Sequence, residues 1–394
     1  MTLSWRDTPL SDCLEERRES PDPHSVLVGA MPLVGKVAFA DGRIHLRPDS
    51  VSNTNLILVQ PGDLLISGIN ASKGAIALQQ YDYPVAATIH YSAYSFNKEN
   101  VEPRYVWWFL RSEAFREIIR REVPGGIKSE LRATRLLPLR IPLPPLPAQR
   151  AFAKVIDDVA DSMAVARSHR VTALKSATLV MESALDHIMG RSQRYVAFGE
   201  YITLRPRSGP SFLTRPEWRG TPVLMPSSVT GFGVNTYRVE YGDGSERVSD
   251  KDRLLEGDIL IARGNKRDQV GNAGVVPSAA KGWVCANLLM RLQVDAERID
   301  PHFCIYWLRS PRMRSHVKLV MGGTSPNIQK INQKKILAFP FPADIGLREQ
   351  KQAVAALDRL QAALKRLNDL QRQSRTELCA VLPSVLDRVF KGEL

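Results

Sequence analysis

The chain is 394 residues long and carries 54 Lys and Arg against 41 Asp and Glu, a formal net charge of +13. Compact domains usually run about 100–200 residues, so more than one structural unit is expected. The excess of cations favours a polyanionic partner, because neutralising phosphates releases condensed counterions. No apolar run approaches the roughly 18 residues of a membrane span, and the N-terminal MTLSWRDTPLSDCLEERRES has acids but no apolar h-region, so a cytoplasmic protein is expected.

In chain order, the first half opens with an irregular region whose short β-like runs, Leu56–Val59 and Asp63–Ile66, are punctuated by Gly, Pro and Asn. A polar loop, Ser67–Gly74, follows. The stretch Tyr105–Ile119 reads as a short helix with paired aromatics in the core, and a second polar loop lies at Gly125–Arg132. A Pro-rich stop, Pro142–Pro145, then leads into a long helix, Ala148–Met189. Its apolar residues Phe152, Val155, Ile156, Val159 and Met163, then Leu174, Val180, Met181, Leu185 and Ile188, keep to a helical face.

The second half has the same order. β-like runs at Val223–Met225 and Asp258–Ile261 precede a polar loop, Ala262–Gln269, a helix-like Phe303–Val317, a loop at Gly322–Lys330 and a stop at Pro340–Pro342. A helix from Leu347 to Phe390 closes the half, broken only by Pro383. Its seam runs through Val354, Leu357, Leu360, Leu364, Leu367 and Leu370 and resumes from Leu378 through Val381 to Val389.

The two halves also share sequence. EPRYVWWFLRSEAFR (Glu102–Arg116) matches DPHFCIYWLRSPRMR (Asp300–Arg314), Gly62-Asp63 matches Gly257-Asp258, Gly125-Gly126 matches Gly322-Gly323, and Pro142-Leu143-Pro144 matches Pro340-Phe341-Pro342. An ordered series at nearly constant offset indicates duplication. A 40-residue helix is a rod of roughly 60 Å, and one with a narrow apolar seam is marginal alone in water. The expected fold class is therefore α+β, two similar β-rich domains separated by two long helices that form an antiparallel coiled coil, with a pseudo-twofold internal repeat. A parallel coiled coil between different chains is the alternative.

Catalytic signatures are missing. There is no [DN]PP[YFW] loop, since Pro144-Pro145 precedes Leu146 at a helix entry, and no GxxxxGK[ST]. The acid pairs Asp157-Asp158 and Glu15-Glu16 read as solvated surface, and Asp258 with Lys266 is unsupported because no lysine recurs at that spacing after Asp63. Cys13, Cys285, Cys304 and Cys379 show no CxxC spacing and the seven histidines no ligand pattern, so reduced structural thiols and no metal are expected. The chain reads as a non-catalytic recognition protein.

Reading bases needs polar side chains on loops, with cations beside them for phosphates. In the first half the candidates are Asn70, Ser72, Lys73, Lys128, Ser129 and Arg132. In the second half they are Arg263, Asn265, Lys266, Arg267 and Gln269 on one loop, with Thr324, Ser325, Asn327, Gln329 and Lys330 on the other. Framework residues recur between the halves while these polar residues diverge, as expected of two domains reading two different sequences of duplex DNA. A coiled-coil scaffold whose basic domains bind proteins is the competing reading.

Over essentially its whole length the chain resembles the specificity subunits of type I restriction-modification enzymes. The likeness is carried by IPLPPLPAQRAFAKVIDDV (Ile141–Val159), GDLLIS and GDILIAR, GGTSPNIQKINQKKILAFPFP (Gly322–Pro342), LREQKQAVAALD (Leu347–Asp358) and LPSVLDRVFKGEL (Leu382–Leu394). Ala148-Gln149 stands where Glu-Gln is commoner, whereas Glu349-Gln350 keeps it. The resemblance implies target-recognition domains at 1–146 and 191–346 and spacer helices at 147–190 and 347–394. It also implies two methyltransferase (M) subunits and restriction (R) subunits as partners, which would carry S-adenosylmethionine, ATP and Mg, with no cofactor on this chain. The target would be bipartite and asymmetric, its half-sites separated by about one DNA turn, roughly 34 Å, or somewhat less.

Overall fold

The computed structural model describes residues 5–47, 54–97, 99–123, 130–322 and 328–393. It forms two compact units, Met1–Arg170 with Gln371–Leu394, and Val171–Leu370. The long helices, Leu146–Met189 and Leu347–Phe390, are each divided between the units.

The first unit is built on a four-stranded antiparallel sheet in the order Leu14–Arg17, Tyr91–Phe96, Leu64–Ser67, Ile76–Leu78. All four residues of Leu64–Ser67 are buried because both faces are covered. Side chains alternate across a strand, so Leu64 and Ile66 enter the core beneath the aromatic helix, while Leu65 packs with Val34, Val59 and Val85. The second unit repeats this plan with Ile202–Ser208, Leu289–Val294, Ile259–Ala262 and Ala273–Val275. There Ile259 and Ile261 face the helices, and Leu260 and Ala262 face a smaller core with Leu224 and Val229. In each half the entry strand pairs antiparallel with the exit strand: Arg6–Pro9 with Arg140–Leu143, and Tyr195–Ala197 with Pro340–Pro342.

Where the sequence suggested one short helix per half, the structure has two, Pro103–Leu110 and Glu113–Glu122, and Pro301–Arg309 and Pro311–Val320. The recurring Leu-Arg-Ser explains the break. Ser112 and Ser310 have extended backbone, and each hydroxyl donates to the carbonyl three residues back (Phe109, 2.6 Å; Trp307, 2.7 Å). Each also accepts an N–H of the next helix, from Phe115 and Met313 respectively, both at 3.3 Å. They act as N-caps, ending one helix and starting the next.

A buried glutamine seats each long helix. The Gln149 carboxamide accepts the Glu102 N–H (2.9 Å) and donates to the carbonyls of Pro144 (2.8 Å) and Asn100 (3.1 Å). Gln350 does the same with the Asp300 N–H (3.0 Å) and the carbonyls of Ile345 (2.8 Å) and Arg298 (3.4 Å). Two turns on, an aspartate takes a hydrogen bond from an aromatic of the first short helix, Trp108 Nε1 to Asp157 (2.7 Å) and Tyr306 OH to Asp358 (2.5 Å).

In the first unit Phe152 and Ile156, near the start of the first long helix, share a core with Leu386, Val389 and Phe390 near the end of the second. In the second unit Met181, Leu185 and Met189 share one with Leu357. Start meets end in both, so the helices pack antiparallel. The expected seam was too broad: Val155, Leu174, Val180, Leu370 and Val381 are 38–63% exposed. A single partner helix covers only a narrow stripe, and the flanking apolar positions stay at its rim.

Gln350→Ala leaves a buried N–H and carbonyl unpaired and is expected to cost about 2–3 kcal/mol in urea unfolding. Removing the exposed neighbour in Gln352→Ala should change stability by about 0.5 kcal/mol at most. Burial pushes the Cys13 thiol up to about 11, with Asp12 adding to the effect, and Cys285 to about 12, while the buried Cys304 is also raised. Only the thiolate is nucleophilic. Brief iodoacetamide treatment of the folded protein at pH 8 should therefore add one carbamidomethyl group, on the exposed Cys379, by mass spectrometry.

Candidate nucleic-acid interface

Strand register decides where the polar loops go. In the second unit the strands Ile259–Ala262 and Leu289–Val294 end together, with Ala262 opposite Leu289. Just past that end, the Arg263 N–H bonds the Leu288 carbonyl (2.9 Å) and the Ile331 N–H bonds the Arg263 carbonyl (2.8 Å). Gly264–Asn265 then pairs antiparallel with Gln329–Lys330. The described parts of the two loops singled out in this half thus lie side by side. In the first unit the equivalent bonds run from the Gly68 N–H to the His90 carbonyl (3.1 Å) and from the Leu131 N–H to the Gly68 carbonyl (2.9 Å). Its two loops meet at the same end of the same sheet.

The individual candidates differ in setting. Lys266, Arg267, Gln269 and Lys330 are exposed, and Asn265 and Gln329 are half-buried, the Asn265 Oδ1 accepting the Lys266 N–H (2.8 Å). Arg263 is half-buried and its guanidinium donates to Ser208 Oγ (2.7 Å), which turns it along the sheet. The acid of this loop, Asp268, is paired with Lys318 (3.0 Å), which holds its carboxyl below the usual range and leaves the positive charge of Lys266 and Arg267 in excess. In the first unit Lys73 and Arg132 are exposed, and Asn70 and Ser72 half-buried. Arg132 lies 2.7 Å from Glu130. Gly74, at φ 90°, closes the Ala71–Lys73 turn with its α-carbon facing the Phe39 carbonyl. Lys128, Ser129, Thr324, Ser325 and Asn327 lie outside the described residues.

Sequence reasoning missed two segments at this end of the sheet. One is the turn Ile89–His90 in the first unit, matched by Asn287–Leu288 in the second. The other is Ser208–Ser211, where the Asn287 amide donates to Ser211 Oγ (3.3 Å). Neither belongs to a repeated phrase, and only strand pairing brings them to the loops.

The recurring aspartates are structural. Asp63 accepts two bonds from Arg17 (2.6 and 3.0 Å) and the Gln60 N–H (2.8 Å). Asp258 is fully buried, 2.6 Å from Arg291 Nε as an ion pair, and accepts the Leu255 N–H (2.6 Å) and the Gln293 amide (2.6 Å). Asp157 is likewise occupied by Arg104 and Trp108. Among the described residues no three His, Cys, Asp or Glu gather as metal ligands, and no helix is long and apolar enough to cross a membrane.

A sequence profile of the type I restriction modification DNA specificity domain matches residues 24–173. A protein of Methanocaldococcus jannaschii, named for the specificity subunit of a type I restriction enzyme, is 22% identical over 378 residues, covering 89% of this chain and 81% of that one. Among solved structures, a chain from a study of complex assembly and conformational transition in the type I R-M system superposes with a TM-score of 0.74 at 20% identity, covering 100% of both chains. The HsdS subunit of Thermoanaerobacter tengcongensis gives 0.61 at 20% identity, covering 99% of this chain and 97% of that one. At these identities the superpositions establish the shared fold.

Removing a carboxylate partner from a buried cation is costly. Asp258→Ala should lower the unfolding free energy by about 3–5 kcal/mol in denaturant titration, whereas Lys266→Ala should leave it within about 0.5 kcal/mol. Equal stability of the two variants would contradict the structural role given to Asp258.

Proposed function

We propose that the chain, a specificity subunit of a type I restriction-modification system and a non-catalytic member of its complex, reads one half of a bipartite, asymmetric duplex DNA target with each of its two units. One observation carries this reading. In both units two polar, cation-bearing loops are hydrogen-bonded together at the same end of the same four-stranded sheet, while their side chains differ. A common frame holding different polar groups suits readout of two different sequences. In this reading the exposed cations Lys73, Lys266, Arg267 and Lys330 neutralise phosphates, and the half-buried amides of Asn70, Asn265 and Gln329 face base edges. Arg132, exposed beside Leu131, adds to the surface of the first unit.

The long helices would seat two methyltransferase subunits, with restriction subunits joining that core, and would set the spacing between half-sites. S-adenosylmethionine, ATP and Mg belong to those partners in this reading, and the whole assembly acts inside the cell.

Sequencing of methylated adenines in cells expressing the chain with its methyltransferase partner should reveal a two-part motif. Replacing Arg263–Gln269 by Gly68–Gly74 should change one half of that motif and leave the other intact; a motif unchanged in both halves would refute the assignment. Each phosphate-contacting cation contributes about one unit to the salt dependence of binding. The triple variant Lys266→Ala, Arg267→Ala, Lys330→Ala should therefore reduce the slope of log K against log salt by about 3 for the complex on duplex DNA. Inserting one heptad into both long helices should lengthen the spacer in the methylated motif, and an unchanged spacer would rule out the helices as the ruler.

A further inference from the structure

The two reading surfaces differ in a way that bears on which bases each accepts. In the first unit Ile69 is 61% exposed and Ile89 is 54% exposed. Both sit one residue beyond the hydrogen-bonded pair that ends the sheet, Ile69 after Gly68 and Ile89 before His90, whose backbones bond at 3.1 Å. The second loop joins them through the Leu131 N–H to the Gly68 carbonyl (2.9 Å). The polar side chains at this end, Lys73, His90 and Arg132, are exposed. In the second unit the matching positions are Gly264, which is buried and paired with Lys330, and Asn287, whose amide bonds Ser211. One surface thus presents branched aliphatic groups where the other presents backbone and amide.

We infer that Ile69 and Ile89 read the C5-methyl groups of thymine in the major groove of the half-site held by the first unit. This rests on the DNA-reading function proposed above. Thymine's methyl is the one apolar group on the major-groove edge of a base pair, and apolar side chains are its natural contact. With Arg132 compensated by Glu130, the exposed cation Lys73 on the loop that carries Ile69 suits a polyanion bearing apolar spots better than an apolar protein face. The second unit has no aliphatic group at these two positions, and among the described residues of its two loops the one exposed aliphatic is Ile328, 42% exposed beside Gln329, so hydrogen bonds carry most of its reading.

The test uses the complex of this chain with its methyltransferase partner and duplexes carrying the methylated motif. The half-site of the first unit is the half left unchanged by the Arg263–Gln269 replacement. Replacing every dT of that half by dU removes the methyl groups and keeps base pairing. Binding should weaken about threefold to tenfold, while the same replacement in the other half should weaken it less. The double variant Ile69→Ala, Ile89→Ala should lose about the same affinity on dT duplexes, show no further loss on dU, and keep the wild-type salt slope, closing a double-mutant cycle. Equal affinity of the wild-type complex for dT and dU, or a variant that still discriminates them, would overturn the inference. Failure of the variant to assemble with the methyltransferase, seen by size exclusion, would reassign the isoleucines to subunit docking and overturn it equally. Absence of any salt-dependent duplex binding by the wild-type complex would instead remove the DNA reading beneath it.

Discussion

A helix with an apolar stripe can slide or rotate along its partner at little cost, so something other than the stripe must fix its place. Here that constraint is one buried carboxamide per unit. Gln149 and Gln350 are 1% and 2% exposed, and each ties the long helix to the entrance of a short helix and to the segment just before it, at Pro144 and at Ile345. Each bond contributes only about 1 kcal/mol, but sliding the helix would leave several buried groups unpaired at about 1–3 kcal/mol each. The aromatic-to-aspartate bonds two turns on, Trp108 to Asp157 and Tyr306 to Asp358, fix rotation as well. With the helix seated, the short helices beneath it are held, and they carry the sheet whose end presents the loops.

How much of this the sequence displays depends on the range of each interaction. The duplication is legible because framework positions recur, and the structure gives each a job: Ser112 and Ser310 cap, Asp63 and Asp258 bind arginine, Pro142 and Pro340 stand in exit strands. The long helices were legible almost to the residue, since composition and periodicity are local. The break between the short helices was not, because it turns on the backbone angle of one serine whose neighbours all read as helical. Nor was the meeting of the two loops in each half, which depends on backbone hydrogen bonds between residues more than sixty positions apart, as from Leu131 to Gly68 and from Ile331 to Arg263.

Where the units diverge, the buried carboxylate stays and its partner moves. Asp63 is met by Arg17 from an edge strand, whereas Asp258 is met by Arg291 from a central one. At the position matching Arg17, Arg207 turns to Asp252 instead (2.9 Å). An unpaired carboxylate in that interior would be strongly destabilising, but several neighbouring strands can deliver a guanidinium to it. The same tolerance extends to the loops. A sheet end held by backbone bonds accepts new side chains without a change of register, so the surface can vary while its frame does not.

The pairing of entry and exit strands has a topological consequence. After the first long helix, Met189 leads at once into the strand beginning at Tyr195, whose hydroxyl bonds the Met189 carbonyl (3.2 Å). After the second, Gly392 lies against Trp5, a β-carbon on it standing 3.5 Å from Trp5 Nε1, immediately before the strand Arg6–Pro9. The two junctions are equivalent, and only one of them is a peptide bond. In each unit, then, the end of a long helix is held against the start of that unit's entry strand. A circular permutant joined at the second junction and opened at the first would keep every contact within each unit.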